Sequence, residues 1–150
     1  MQKIMFICTG NICRSAMAEG IMKKKITEEG LDASICSCGI YAENGDGATY
    51  NAIEAAREYE VDITKHRATN IRNSNIQEMD IILCATTGHK RLVLQLYPNL
   101  SERIFTMKEF ANGEQEDIAD PWGYNMETYR KCAEEIVQII DKTIEKLKKQ

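Results

Sequence analysis

The chain has 150 residues, with 19 Lys and Arg against 23 Asp and Glu, a net charge of −4 and a pI near 5.3. One domain spanning residues 1–150 is expected, burying roughly 70% of its unfolded surface, and the acidic balance argues against a nucleic-acid or anionic-membrane partner. No apolar run approaches the ~18 residues of a membrane span, and the first one stops at Ile7, short of a signal peptide, so a cytoplasmic protein is expected.

Along the chain, strand-like and helix-like patterns alternate. Residues 3–7 read as a buried strand, and Ser15 to Glu29 as a helix, with Met17 and Ile21, and Met22 and Ile26, four apart. Residues 34–38 read as a second strand, Asn44-Gly45-Asp46-Gly47 as a loop, and Thr49 to Tyr59 as a helix capped by Thr49, with Ala52 and Ala56 on one face. Met79 to Ala85 suits a central parallel strand covered on both faces. A helix from about Gly88 to Tyr97 closes at Pro98, with His89 on the surface of its first turn, and a short strand spans residues 103–106. After the acidic loop Glu114 to Asp117, Tyr129, Cys132, Ala133, Ile136, Ile140, Ile144 and Leu147 step by three or four along a long terminal helix. The expectation is a doubly wound α/β fold, a four-stranded parallel sheet flanked by helices on both faces, with ligands gathering at the carboxyl ends of the strands.

The first strand runs into Cys8-Thr9-Gly10-Asn11-Ile12-Cys13-Arg14-Ser15, which opens the first helix. Five residues between Cys8 and Arg14 can curl into a ring of inward backbone N–H groups, a nest for an oxyanion, and the helix adds its positive end. Gly10 can supply a positive φ, and Asn11 is the next most tolerant residue for one. The Arg14 guanidinium offers a planar fork for two oxygens. The same field favours negative charge on the Cys8 sulfur, which makes it a nucleophile needing no separate base. A Cys or a Gly-Asn pair alone would suit a core side chain and a turn; the ordered set of strand, Cys, loop and Arg-Ser has no such structural motive.

The octapeptide resembles the active-site loop of the low-molecular-weight protein tyrosine phosphatases, and the resemblance spans nearly the whole chain. Ser37-Cys38-Gly39-Ile40 is similar to the family's Ser-Ala-Gly-Thr stretch, Asp62-Ile63-Thr64-Lys65-His66-Arg67-Ala68 to its helix-to-loop passage, Asp80-Ile81-Ile82-Leu83-Cys84 to its third strand, and Asp120-Pro121-Trp122-Gly123 to its acid loop. The resemblance implies hydrolysis of phosphotyrosine on a protein substrate, without metal or cofactor, by a monomer or weak dimer. Cys8 would be the nucleophile and Arg14 the phosphate clamp. Asp120, whose backbone Pro121 holds extended, would be the general acid that protonates the leaving oxygen and the base that activates water. Thr9 to Ser15 would bind the phosphate. Ser15 can donate to the Cys8 sulfur, and Asn11, Ser37 and His66 resemble the family's network that keeps the loop curled.

Ile12 and Trp122 are placed to sandwich a flat leaving group, with Tyr41 and Tyr124 as further walls. The acid loop also resembles that of bacterial protein-arginine phosphatases, which carry Thr where this chain has Ile12; the methyls of isoleucine favour an aromatic ring. Ala16 stands where many members have Pro, Cys38 replaces a small Ala, and residues 46–51 lack the usual Pro-rich turn. The six cysteines, at 8, 13, 36, 38, 84 and 132, are too irregular for a disulfide scaffold and form no metal-ligand spacing, so reduced thiols are expected. Cys13 could trap Cys8 as a reversible disulfide under oxidants, or simply pack. Thiol-linked arsenate reductases share this loop but relay through two further cysteines; Cys84 is present, yet Arg91 occupies its partner's position. A non-catalytic phosphopeptide binder would have little need of Cys8, Arg14 and Asp120 together.

Overall fold

Ile4, Met5, Phe6, Ile7 and Cys8 are all buried because β1 (Gln2–Cys8) is an interior strand covered on both faces in the computed structural model, which describes residues 1–150. It pairs in parallel with β2 (Ala33–Gly39) on one side and β3 (Ile81–Cys84) on the other, placing Ile4 beside both Ile35 and Ile81. β4 (Ile104–Thr106) extends the sheet beyond β3, giving the order β2-β1-β3-β4. The expected parallel four-stranded sheet is therefore present, and the loop after β1 lies where the chain's path reverses across the sheet.

Side chains of a strand alternate between faces, so β1 feeds two cores. Ile4 and Phe6 join Ile35 and Leu83 under α1 (Arg14–Glu29), α2 (Tyr50–Arg57), α4 (Met107–Asn112) and α5 (Met126–Lys148). Met5 and Ile7 join Cys38, Ile82, Cys84 and Ile104 under α3 (Thr87–Leu96) and short 3-10 turns that bring in Ile71, Ile76 and Leu100. Each fully buried Ile, Leu, Phe or Met contributes roughly 1.5–3 kcal/mol. The basic run Lys23-Lys24-Lys25 is a charged helix face, pairing with Glu19, Glu60 and Asp141.

Some boundaries differ from the expected ones for identifiable reasons. β3 is shorter than residues 79–85, because Met79 closes a 3-10 turn and only the stretch beside β1 finds a ladder partner. α2 stops at Arg57, two residues before Tyr59, and Glu60 takes φ 61° just beyond. α3 ends at Leu96, since the residue before Pro98 is excluded from helical geometry and Tyr97 sits at φ −134°, ψ 65°. α4 was not expected; Thr106 and Glu109 cap it reciprocally, a Thr-x-x-Glu signature hidden behind the short strand β4. α5 starts at Met126, where the Asn125 side chain accepts from Thr128 N.

Candidate active site

The loop from Cys8 to Arg14 curls beneath the N-terminus of α1, whose N-cap, Cys13, makes no side-chain cap, leaving the first helical N–H groups open to a ligand. Of the two residues expected to tolerate a positive φ in this loop, Asn11 adopts it (58°) and Gly10 does not. Asn11 can hold this conformation because its side chain, fully buried, is bonded at every position. Its Nδ2 donates to Ser15 Oγ at 2.8 Å and to Ser37 Oγ at 2.9 Å, and its Oδ1 accepts from Thr69 N at 2.9 Å. His66 Nε2 donates to the Asn11 carbonyl at 2.6 Å. The expected grouping of Asn11, Ser15, Ser37 and His66 is thus assembled, and Glu19, which sequence reasoning missed, extends it by accepting from Ser37 Oγ.

Cys8 Sγ lies 2.8 Å from Ser15 Oγ. Because Ser15 Oγ already accepts from Asn11, its own proton is directed at the sulfur, an arrangement that suits an anion. Arg14 is 4% exposed; its Nη1 donates to the Ile118 carbonyl at 2.8 Å, and Ile118 N is in turn held by the Ala85 carbonyl at the end of β3. That anchor leaves the Nε–Nη2 edge for a ligand: Nε has no partner and Nη2 sits 3.6 Å from Asp120 Oδ2. A buried guanidinium edge without an acceptor is costly unless an oxyanion completes it. Asp120 is half-exposed, and its other oxygen accepts from Trp122 N at 3.1 Å, which sets the carboxyl's direction.

These groups share one cavity of about 320 Å³ lined by Cys8, Thr9, Gly10, Ile12, Cys13, Arg14, Tyr41, Asp120 and Trp122. Glu43 and Asp46 also line it, and sequence reasoning missed both, although the loop after β2 leaves the sheet at the carboxyl end where ligands collect. Tyr124 is not among the lining residues: Gly123 at φ 83° and the Tyr124 N to Pro121 O bond close a turn that leaves the ring in solvent. Cys13 Sγ sits 3.2 Å from Tyr129 OH and 3.6 Å from Thr49 Oγ1, and burial pushes its thiol up, outweighing those two bonds. His89 is also corrected. It lies in the first turn of α3 but is buried, bonded to Thr9 and Thr86, and no local pattern marks a pair 80 residues apart. All six cysteines are free thiols. Chemically, the arrangement offers a sulfur below an anion nest, a guanidinium edge beside it and a carboxyl group above.

The profile of the low molecular weight phosphotyrosine protein phosphatases matches residues 3–150. The chain is 31% identical to a protein-arginine-phosphatase of Bacillus subtilis, over 97% of each chain. It superposes with TM-score 0.92 on a low molecular weight protein tyrosine phosphatase from T. tengcongensis, at 41% identity over 97% of this chain and 99% of that one. It also superposes with TM-score 0.96 on a Cys-to-Ser variant of the YwlE arginine phosphatase that carries a phosphorylated active-site serine, at 30% identity over 99% and 97% of the two chains.

Proposed function

The chain belongs to the low molecular weight phosphotyrosine protein phosphatase family, and from that premise we propose that it hydrolyses phosphotyrosine in proteins through a cysteinyl phosphate. The Cys8 sulfur attacks phosphorus; the S–P bond forms as the bond to the tyrosine oxygen breaks, and Asp120 delivers its proton to that oxygen. Asp120, now a carboxylate, takes a proton from water, whose oxygen attacks phosphorus. The S–P bond then breaks to give inorganic phosphate and the Cys8 sulfur anion. Arg14 and the amides of residues 9–15 hold the equatorial oxygens, where charge spreads in both transition states. No metal takes part in these steps. The observation that carries the reading is the one cavity in which the Cys8 sulfur, the unpartnered Arg14 Nε and the Asp120 carboxylate meet. Its test is turnover of an aryl phosphate in the presence of a chelator, with Cys8→Ser abolishing it and phosphorus trapped on the Cys8 sulfur in a quenched reaction. Activity that needed a divalent metal, or survived the substitution, would refute the mechanism.

Ile12, Tyr41 and Trp122 form walls suited to a phenyl ring, which supports tyrosine as the leaving group. A second reading, phosphoarginine, is favoured by the 31% identity to a protein-arginine-phosphatase and by Glu43 and Asp46 at the rim, whose carboxylates suit a guanidinium. Peptides carrying one or the other modification decide between them. Preference for phosphotyrosine is expected, with Ile12→Thr shifting it toward phosphoarginine. The substrate belongs to a phosphorylated-protein class. Under peroxide, Cys8 would oxidise to a sulfenic acid and condense with Cys13, releasing water; in Cys13→Ser, with no neighbouring thiol to condense with, a second equivalent of peroxide would carry the sulfenic acid to the sulfinic acid, which thiols do not reverse.

A further inference from the structure

His89 is the one histidine that the proposed chemistry leaves without a task, yet it is bonded to a residue that lines the site. It occupies the third position of α3, is 8% exposed, and places Nε2 2.8 Å from Thr9 Oγ1, the side chain immediately after Cys8. Its other nitrogen, Nδ1, lies 2.9 Å from Thr86 Oγ1. Thr86 Oγ1 also accepts from His89 N at 3.0 Å, as the cap of α3.

Counting protons along this chain gives it a direction. Within the protein, Nδ1 is the one acceptor in reach of the Thr86 hydroxyl proton, and that proton is assigned there. A neutral imidazole with Nδ1 as acceptor carries its proton on Nε2, which then donates to Thr9 Oγ1. The Thr9 oxygen is thereby occupied as an acceptor, and its own proton is left over. Thr9 lines the cavity.

We propose that His89 is a positioning residue for the active site: by donating to Thr9 Oγ1 it turns the Thr9 hydroxyl proton into the cavity as a donor for the bound phosphoryl substrate. Burial and the nearby Arg14 charge keep the imidazole neutral, with its pKa down to about 4, against the smaller opposing pull of Asp117 and Asp120. The positive N-terminal end of α3 acts in the same sense as Arg14. The proposal rests on the phosphomonoester chemistry above only for its kinetic readout; binding of inorganic phosphate tests it separately.

The experiment compares Thr9→Val, Thr9→Ser, His89→Leu, His89→Gln and the double variant Thr9→Val/His89→Leu. It measures kcat/KM for an aryl phosphate, the dissociation constant of inorganic phosphate, and the melting temperature. A hydrogen bond to a charged group supports a loss of roughly tenfold in both kcat/KM and phosphate affinity for Thr9→Val and for His89→Leu. The double variant is expected to be no worse than Thr9→Val alone, because both remove the same donor. Thr9→Ser, which keeps the hydroxyl, and His89→Gln, which can present an N–H to Thr9, are expected to retain most of both. Additive losses in the double variant, or a melting-temperature drop in His89→Leu with phosphate affinity intact, would overturn the proposal. If His89→Leu does not fold, equal phosphate affinity in Thr9→Val and Thr9→Ser overturns it instead. Absence of turnover in the unaltered protein would sink the phosphatase mechanism and leave the phosphate-binding comparison standing.

Discussion

The side-chain amide of Asn11 donates to Ser37 Oγ at 2.9 Å and ties the loop after β1 to β2, 26 residues on. The same amide holds Ser15, and through it the Cys8 sulfur, so one buried side chain governs both the curl of the nest and the proton aimed at the nucleophile. Asn11→Ala forces an alanine into φ 58° and leaves Ser15, Ser37 and Thr69 N short of a partner. A loss of about 3 kcal/mol is expected, seen as a fall of roughly 6–12 °C in melting temperature. Asn11→Gly relieves the backbone but not the bonds and is expected to recover about 1 kcal/mol of that.

Gly39 ends β2 directly beneath the loop. A Cβ there would come within 2.6 Å of the Thr9 carbonyl oxygen and 2.8 Å of Asn11 N, both backbone atoms that cannot swing aside. Gly39→Ala is therefore expected to push the loop off its position. Displacement of catalytic groups on the order of 1 Å costs about 10²-fold in rate, and steady-state kinetics on an aryl phosphate will show that loss with expression and folding largely kept.

Asp120 reaches the site from the segment before α5 and faces Arg14 Nη2 at 3.6 Å. Asp120→Asn keeps the shape and removes the transferable proton. A fall in kcat of about 10²–10⁴-fold is expected for an alkyl or unactivated aryl ester. The fall should shrink for a leaving group acidic enough to depart unaided, and a uniform loss across leaving groups would count against Asp120 as the acid.

Stability should form a plateau with two edges. His89 has its folded pKa lowered from 6.5 to about 4 by burial and Arg14, so between those values the unfolded chain binds more protons, and stability is lost as pH falls from about 6.5 toward 4. The full contribution is on the order of 3 kcal/mol. At the alkaline edge, burial raises Cys36 to about 11 and Cys38 and Cys132 to about 12 from 9.0, and raises Cys84 further. There the unfolded thiols ionise first, so stability falls as pH rises above about 9. Urea melts across this range test both edges. His89→Gln is expected to soften the acid edge and leave the alkaline one.

Apolar periodicity was enough to locate all four strands and the long helices: the first strand is buried as expected, and Ile81 to Cys84 of β3 are buried as a strand covered on both faces requires. The helix α4 was legible in principle, through Thr106 and Glu109, but its six residues are too few for a periodic signal. Ile12, Tyr41 and Trp122 do meet at the cavity, while Tyr124, only two residues past Trp122, does not, because a turn at Gly123 separates them.

What the sequence determined by itself is the chemistry that lies within one stretch of chain: Cys8, the loop and Arg14 are neighbours in sequence, so their spacing alone points to an anion site with a thiol at its base. The tertiary structure alone decided that Asn11 and not Gly10 bears the positive φ, that Gly39 must lack a Cβ, that Glu43 and Asp46 reach the rim, and that His89 is buried against Thr9. Each of these depends on contacts between segments tens of residues apart. Those contacts are set by strand order and by which buried polar groups find partners when the layers close, and neither property leaves a periodic trace in the residues nearby.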